Sequence, residues 1–417
     1  MRRLLLTAAF VASLAGCSLF EETESEGPAL PPDMARRADG KTATAWPLWL
    51  TEAETKKRIS RLLPGYVKDK AGWTDDLYAA YQALQVPHAT QTYCASIAII
   101  EQESSFQADP TVSNLPIIVR RELESRAGRY GVPALLVNAA LSKTSPTGKS
   151  YNERIDALKT ERQVSLLFED MIGELPFGRQ LFADYNPVRT GGAMQVSVDF
   201  AEQHLKERPY PYPIEKKLRD ELFTRRGGVY FGAAILLDYP APYDQIVYRF
   251  ADFNAGRYSS RNAAFQLALG KVSGKALAPD GDLLRYDNGQ PSALPSSVEE
   301  AALGLVSKLD MSRPQIRRDL LLEKSPAFSR SPLYARVFEQ AEKQAGKALA
   351  RQAMPQIDLK SPKIVRKLTT EWFARRVEGR YKTCLARASE RGVPASWCGA
   401  LAYLNLTVTL GMPGKPS

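Results

Sequence analysis

The residues most able to do chemistry lie at the end of an apolar stretch, residues 97–106, with the sequence IAIIEQESSF. The stretch before Glu101 has almost no polar face, which predicts a helix that is buried nearly all round. Glu103 comes where the apolar run stops, so its carboxyl should face the apolar wall made by Ile99 and Ile100. Desolvation raises the pKa of such a carboxyl, as a general acid working near neutral pH requires. The alternative is a solvated glutamate at a helix end, and this stretch alone does not choose between Glu101 and Glu103.

Two short stretches further along the chain could supply a ligand-binding surface. Residues 191–197, with the sequence GGAMQVS, contain paired glycines, which permit positive φ and a close approach of backbone to a ligand. Gln195 can offer both a donor and an acceptor to a sugar or an amide. Residues 251–256, with the sequence ADFNAG, indicate a helix end or tight turn at Asn254 and Gly256. Taken alone, each stretch is more typical of a plain turn.

Taken in order, these motifs resemble the catalytic core of the family-1 lytic transglycosylases, the soluble lytic transglycosylase group related to goose-type lysozyme. Glu103-Ser104-Ser105-Phe106 is similar to the Glu-Ser-x-Phe motif of that family. Residues 192–195 resemble its Gly-Leu-Met-Gln stretch, and residues 252–256 resemble its Ala-Tyr-Asn-Ala-Gly stretch. The resemblance implies a mainly α fold of the α+β lysozyme-like kind.

Carried over residue by residue, the resemblance makes Glu103 the single general acid and base, and gives Ser104 the role of holding that glutamate or the substrate. The groove would be lined by Met194, Gln195, Phe253 and Asn254. The implied reaction is cleavage of the β-1,4 bond between N-acetylmuramic acid and N-acetylglucosamine in peptidoglycan glycan strands. The acetamido group of the substrate stabilises the cation and its C6 hydroxyl attacks, so a 1,6-anhydro sugar forms without a second carboxylate or a cofactor.

The chain departs from the family pattern in two places. It carries residues 114–190 where the family usually has only a few residues, and a segment that long should form helices packed beside the groove. Phe253 stands where the family has a tyrosine whose hydroxyl lies close to the catalytic glutamate. Tyr248 or Tyr258 could supply a hydroxyl instead. The alternative function is therefore a non-catalytic peptidoglycan-binding or scaffold lipoprotein on the same fold.

Other chemistries fit the sequence less well. Asp109 and Asp252 are candidate second carboxylates for an ordinary hydrolase, which needs two. Because the chain has only two histidines, a His-based zinc site is not expected, and no phosphate-loop or dinucleotide fingerprint occurs. Cys94 with His204 could form a cysteine peptidase pair, although a cysteine on an all-apolar helix is more typical of a buried inert thiol. Neither a metal nor a cofactor is predicted.

The folded part should be a helical lysozyme-like core over residues 46–290, with the helical insertion 114–190 and a basic helical C-terminal region over 291–417. Apolar spacing predicts insertion helices near 117–130, 133–141 and 157–174. In the C-terminal region, one apolar stripe is predicted from Trp372, Phe373, Val377 and Tyr381.

Residues 1–16 predict a secretory signal peptide, with two arginines, an apolar run and small residues before Cys17. The end of this segment resembles the bacterial lipobox, which implies that Cys17 is lipidated and anchors the protein in a membrane. Ser18 resembles the residue that follows the cysteine in lipoproteins sorted to the outer membrane, so we expect the periplasmic face of that membrane. The acidic and proline-rich residues 17–45 predict a disordered tether.

The C-terminal region raises two further expectations. Residues 356–391 hold ten Lys or Arg against four acids, which fits attraction to an anionic wall polymer or membrane, or simply a solvated basic helix face. Nucleic acid is not an expected partner of an exported lipoprotein. Cys384 and Cys398 lie close together in sequence, so an oxidising compartment makes a disulfide between them plausible, with Cys94 left over.

Overall fold

The computed structural model describes residues 29–35, 42–287, 289–359 and 367–390. The chain is mainly helical, with 58% helix and 4% strand, so the predicted mainly α class is confirmed. In these ranges the strands form two small antiparallel pairs, and neither pair extends into a larger sheet.

The elements follow one another in chain order. The N-terminal helices are α1 (Glu52–Leu62), α2 (Lys70–Leu84) and α3 (Thr90–Glu103). The insertion contains α4 (Leu115–Arg129), α5 (Ala134–Leu141), α6 (Tyr151–Asp156), α7 (Glu161–Gly173), α8 (Gly178–Phe182) and a 3-10 turn (Ala183–Tyr185). A hairpin of β1 (Thr190–Gly191) and β2 (Val196–Ser197) leads to α9 (Val198–Glu207), α10 (Leu218–Leu222), α11 (Arg225–Leu237) and α12 (Ile246–Ala255).

The remaining elements begin with α13 (Ser259–Ser273) and a hairpin of β3 (Tyr286–Asp287) and β4 (Gln290–Pro291). Then come α14 (Ser297–Leu303), α15 (Val306–Leu309), α16 (Arg313–Leu320), a 3-10 turn (Pro326–Arg330), α17 (Pro332–Ala345) and α18 (Thr370–Glu390).

Helix α3 lies at the centre of the main core. Its residues from Gln91 to Ile100 are all buried, because the helix carries apolar side chains on every face. Buried polar groups on the helix have partners: the Tyr81 hydroxyl lies 2.9 Å from Ser96 Oγ and donates to the Thr92 carbonyl, and the Thr92 hydroxyl donates to the Pro87 carbonyl. Helices α1, α2, α11, α12 and α18 surround it. The prediction of a helix buried nearly all round is therefore confirmed.

The C-terminal region is not a separate unit beginning at residue 291. A second core already starts in α13, with Phe265, and extends to Phe338 in α17. Helix α18 then returns to the main core, where it packs along both α3 and α12. Of the predicted apolar stripe on α18, Phe373, Val377 and Tyr381 are buried. The boundary expected at 290–291 falls inside the second core, because α13 packs against α14 and α17, which come after it in the chain.

The predicted tether is shorter than residues 17–45. Leu30 and Met34 are buried in the main core, and Asp33 is fully buried against Arg249 of α12, with 2.7 Å between Oδ2 and Nε. Arg249 also donates to the Leu236 and Tyr239 carbonyls, which satisfies the buried cation. The tether prediction is therefore wrong for residues 29–35. Cys17 lies outside the described residues.

The insertion forms helices, as expected, and has a small core of its own. Leu115, Leu141, Ile155 and Leu167 are buried at its centre. The predicted helix over 157–174 is α7 and begins at Glu161, because Thr160 caps it by accepting a hydrogen bond from the Gln163 amide.

Mild acid should destabilise this fold. Burial lowers the pKa of both histidines, His88 and His204. A histidine whose pKa is lower in the folded than in the unfolded state stabilises the fold fully at pH values above its unfolded pKa, which is about 6.5. This stabilisation is lost as the pH falls below that value, because the unfolded chain takes up the proton more readily. Together, the two histidines allow the free energy of unfolding to fall by up to about 2.7 kcal/mol for each unit that the pH falls.

Urea unfolding of the protein at a series of pH values from neutral to mildly acidic measures this slope. The variant His88→Gln/His204→Gln is the control and should show a flatter dependence. A free energy of unfolding that stays constant below neutral pH in the parent protein would contradict the expectation.

Candidate functional site

Glu103 is the last residue of α3 and is partly exposed, where the buried helix reaches the surface. The chain then turns through two consecutive non-glycine residues with positive φ, Ser105 at 50° and Phe106 at 63°. Phe106 is buried, with its ring centroid 5.2 Å from that of Trp73, and this contact holds the turn. Such backbone is uncommon and strained for bulky residues, and strain of this kind concentrates at functional sites.

The two glutamates of α3 have different surroundings. Glu101 faces α18, where its carboxylate lies 3.3 Å from Arg380 and 3.9 Å from Arg387. The neighbouring Gln102 Oε1 accepts hydrogen bonds from Arg376 and Arg380. Glu103 instead lines a cleft. The arginines of the basic C-terminal segment thus bind the end of α3, and Glu101 serves as their partner.

The cleft has a volume of about 840 Å³ and separates the main core from the insertion. This volume is within the range of ordinary ligand sites. The core side is lined by Glu103, Gln195, Phe253, Asn254, Leu359 and Phe373. The insertion side is formed mainly by α4 and α7, and includes Ile118, Glu122, Arg126, Glu161, Phe168 and Met171. The expectation that the insertion packs beside the groove agrees with this arrangement.

The β1–β2 hairpin brings Gln195 to the cleft. Gln195 has a φ of 51°, and its Oε1 accepts a hydrogen bond of 3.0 Å from Thr190 Oγ1, which fixes the amide on the cleft wall. Gly192 has a φ of 75°, and a Cβ there would collide with the Leu222 carbonyl. The paired glycines therefore allow the hairpin to pack on a neighbouring segment of backbone, and not on a ligand as the sequence suggested.

Met194 does not line the groove. It is fully buried, and its side chain packs on Gly232 of α11, where a Cβ would collide with it. Ser104 is also buried, and its hydroxyl donates to the Ile100 carbonyl at 3.0 Å. Neither residue is among those that line the cleft, so the binding roles expected for Met194 and Ser104 do not fit this geometry.

The end of α12 supplies Phe253 and Asn254. Both side chains line the cleft, and Gly256, with a φ of 109°, ends the helix. Asn254 Oδ1 accepts a hydrogen bond of 2.8 Å from the hydroxyl of Thr370, the first residue of α18. The C-terminal helix thus holds the third motif in place, a connection that sequence reasoning missed.

No tyrosine lines the described part of the cleft. Tyr258 is buried, with its ring under the Arg261 guanidinium and against Tyr239. Tyr248 packs near Tyr243. Neither supplies the hydroxyl that Phe253 lacks, since neither is a lining residue.

The two predicted second carboxylates lie elsewhere. Asp252 is fully buried and accepts hydrogen bonds from the Tyr239 and Tyr243 hydroxyls and from two backbone amides. Burial raises the pKa of Asp252, while the hydrogen bond from Tyr243 opposes that shift. Burial also raises the pKa of Asp109, which accepts from Thr160 Oγ1 at 2.9 Å. Asp252 thus has a structural role, and neither carboxyl lines the cleft.

Two other carboxylates do line the cleft, and sequence reasoning missed them. Glu122 is on α4 and lies 2.7 Å from Arg126, and Glu161 begins α7. Leu359 and Phe373 were missed for a similar reason, because the sequence gives no sign that the insertion and the C-terminal segment meet at one cleft. Phe373 was recognised only as part of an apolar stripe.

The disulfide differs from the expected one. Cys94 of α3 is bonded to Cys384 of α18, so the predicted pairing of Cys384 with Cys398 is wrong. Cys398 lies outside the described residues. The disulfide also excludes a free Cys94 nucleophile, and His204 is instead buried with its Nε2 3.3 Å from the Tyr230 hydroxyl. Cys94 and His204 therefore do not form a cysteine peptidase pair.

Two further properties concern the described residues only. None of their helices is long and apolar enough to cross a membrane. They also contain no cluster of three or more His, Cys, Asp or Glu side chains suited to a metal ion.

Comparison with known proteins gives one relative and one family model that match most of the chain. "Uncharacterized protein YaiW" from Escherichia coli (strain K12) is 47% identical over 327 residues, which cover 78% of this chain and 88% of the relative. No solved structure matches the chain. A family model described as "Protein of unknown function (DUF1615)" matches residues 66–387, a range that includes the cleft, the insertion and the disulfide. The chain belongs to the DUF1615 family.

Proposed function

We propose that the protein is a peptidoglycan lytic transglycosylase with a lysozyme-like core and Glu103 as its acid and base. One observation carries the proposal: motifs at residues 103, 195 and 253–254 contribute side chains to a single cleft. The insertion separates the first motif from the other two in sequence. We would therefore not expect turns with unrelated roles to contribute side chains to the same site. The C-terminus of a buried helix is also a suitable support for a positioned acid, because α3 is held on all sides.

The reaction proposed for the site needs one protein carboxyl. Glu103 donates its proton to the bridging oxygen as the bond to the anomeric carbon of N-acetylmuramic acid breaks, and the substrate acetamido group stabilises the cation. Glu103, now a carboxylate, then accepts the proton of the C6 hydroxyl as that oxygen bonds to the anomeric carbon. The products are a 1,6-anhydro end and a free 4-hydroxyl, with no water consumed.

A second candidate is a non-catalytic peptidoglycan-binding lipoprotein on the same fold. It is favoured by Phe253, which lines the cleft where the resembling family has a tyrosine, and by the absence of any other tyrosine from the described lining residues. In this case the cleft would bind glycan without cleaving it.

One experiment separates these functions. Purified protein is incubated with peptidoglycan sacculi, and the soluble products are analysed by mass spectrometry. Muropeptides with 1,6-anhydro ends support the transglycosylase, and products heavier by one water support a hydrolase that uses Glu122 or Glu161 as a second carboxylate. Binding to sacculi without release supports the second candidate, and neither binding nor release would contradict both.

The proposed location follows from the N-terminal sequence. Lipidation of Cys17 would anchor the protein to the periplasmic face of the outer membrane, where the cleft can reach peptidoglycan.

A further inference from the structure

Exposed apolar side chains are concentrated in the insertion, within the part of the chain that the structure describes. More than half of the large apolar side chains that are exposed in the described residues belong to residues 114–190. The most exposed part is residues 128–140, which we call the apolar tip. Within it, Tyr130 is 82% exposed and Leu135 is 79% exposed, and Leu136 is also exposed.

Helix α5 is the central element of this tip. Its sequence, ALLVNAAL, has one polar residue, Asn138, yet six of the eight residues are exposed. A helix that is apolar all round is normally buried, as α3 is in the same protein. Patches of this kind on soluble proteins mark an interaction surface. Only Val137 and Leu141 turn inward to the small core of the insertion.

The charges around the tip favour an anionic surface. Residues 125–152 contain four basic residues and no acid. Arg126 is neutralised by Glu122 and Lys143 by Glu174, which leaves Arg129 and Lys149 exposed near the tip. Exposed leucines, a tyrosine and basic residues together are the composition of segments that lie at a lipid interface.

The length of chain before the described residues also favours a lipid surface over another partner. Twelve residues separate Cys17 from Leu30, and this length can span at most about 45 Å. The folded part has an expected radius of gyration of about 20 Å. A chain anchored at Cys17 would therefore hold Leu30 within about 45 Å of the bilayer, so that an apolar phase always lies close to the folded part.

We propose that the apolar tip inserts into the interface of an anionic lipid bilayer, with Tyr130, Leu135 and Leu136 in the acyl boundary and Arg129 at the headgroups. This proposal rests on the proposed lipid anchor, which would bring the tip close to a bilayer. The residues of the tip do not line the cleft. A single acyl chain gives only marginal membrane binding, so a protein contact of this kind would add a second point of attachment.

The test uses the full chain with Cys17→Ser, which lacks the acyl anchor. Its partition onto sedimented vesicles is measured for phosphatidylcholine alone and for phosphatidylcholine with phosphatidylglycerol. Adding Leu135→Ser/Leu136→Ser should lower the partition coefficient by about tenfold or more, since each buried leucine contributes strongly. Arg129→Gln should lower it by about fivefold, and only for the anionic vesicles.

The matched control is Leu294→Ser/Leu321→Ser, which removes two exposed leucines that lie outside the insertion. It should leave the partition unchanged. No vesicle binding by the Cys17→Ser protein, or equal loss in the two leucine pairs, would overturn the proposal. If the protein instead self-associates in solution, and only the tip substitutions abolish this, then the tip binds a second copy of the chain. Because the readout is lipid binding, the result does not depend on whether the protein cleaves peptidoglycan.

Discussion

Glu103→Gln should lower the rate of anhydro-muropeptide release from sacculi by about 10²–10⁴-fold or more, because a positioned acid and base contributes about this much. Glutamine keeps the shape of the side chain and removes the transferable proton. With no second carboxylate sharing the proposed reaction, the loss should fall toward the upper end of that range. The rate is measured from the initial release of soluble products by the purified variant and the parent protein.

Three controls sharpen this experiment. Glu101→Gln changes a carboxylate on the same helix, but one that faces Arg380 of α18. This variant should therefore retain activity, apart from any loss of folded protein, which a measurement of its Tm reports. Glu122→Gln and Glu161→Gln change the other carboxylates of the cleft. Full activity in Glu103→Gln would remove the basis for this site. An equally large loss in Glu161→Gln would indicate a two-carboxylate hydrolase.

Removing the disulfide should lower the free energy of unfolding by about 2–5 kcal/mol, since a cross-link between residues far apart in sequence restricts the unfolded chain strongly. The bond joins Cys94 to Cys384, which are separated by 290 positions, and both side chains are fully buried. The double variant Cys94→Ala/Cys384→Ala tests this by urea unfolding. Activity should fall with it, because α18 carries Thr370, which bonds to Asn254 at the cleft.

Cys398→Ala is the matched control, and it should leave the free energy of unfolding unchanged. Peptide mapping without reductant should recover the peptide of Cys94 linked to that of Cys384. A linked pair of Cys384 and Cys398 peptides, or equal destabilisation by Cys398→Ala, would contradict the structure.

Features that depend on local sequence were predicted well. The burial of α3 follows from its unbroken apolar run, and apolar spacing alone predicted α4, α5 and α7 of the insertion, although not the shorter α6 and α8. The inward stripe of α18 was predicted in the same way. In each case the pattern within one helix is enough to identify its buried face.

Features that depend on distant contacts were not predicted. Cys94 lies next to Cys384 only because α18 packs along α3, and no spacing rule reports that contact. Met194 is in a motif that resembles a substrate-binding stretch, yet it fills the space left by Gly232 on another helix. The role of Asp33 likewise depends on Arg249, more than two hundred residues later. Such pairings are set by packing between elements, which the sequence alone leaves open.

The return of α18 to α3 has a consequence for how the protein is made. A ribosome adds about 5–20 residues per second, so the interval between synthesis of Cys94 and of Cys384 is roughly 15–60 s. During that time α3, the central helix of the main core, has neither its disulfide partner nor the helix that covers one of its faces. An uncovered helix of this kind promotes aggregation during synthesis, and after export to an oxidising compartment the unpaired thiols can form wrong disulfides. Biogenesis should therefore depend on holdase chaperones and on a disulfide isomerase more strongly than it would for a protein whose core closes early.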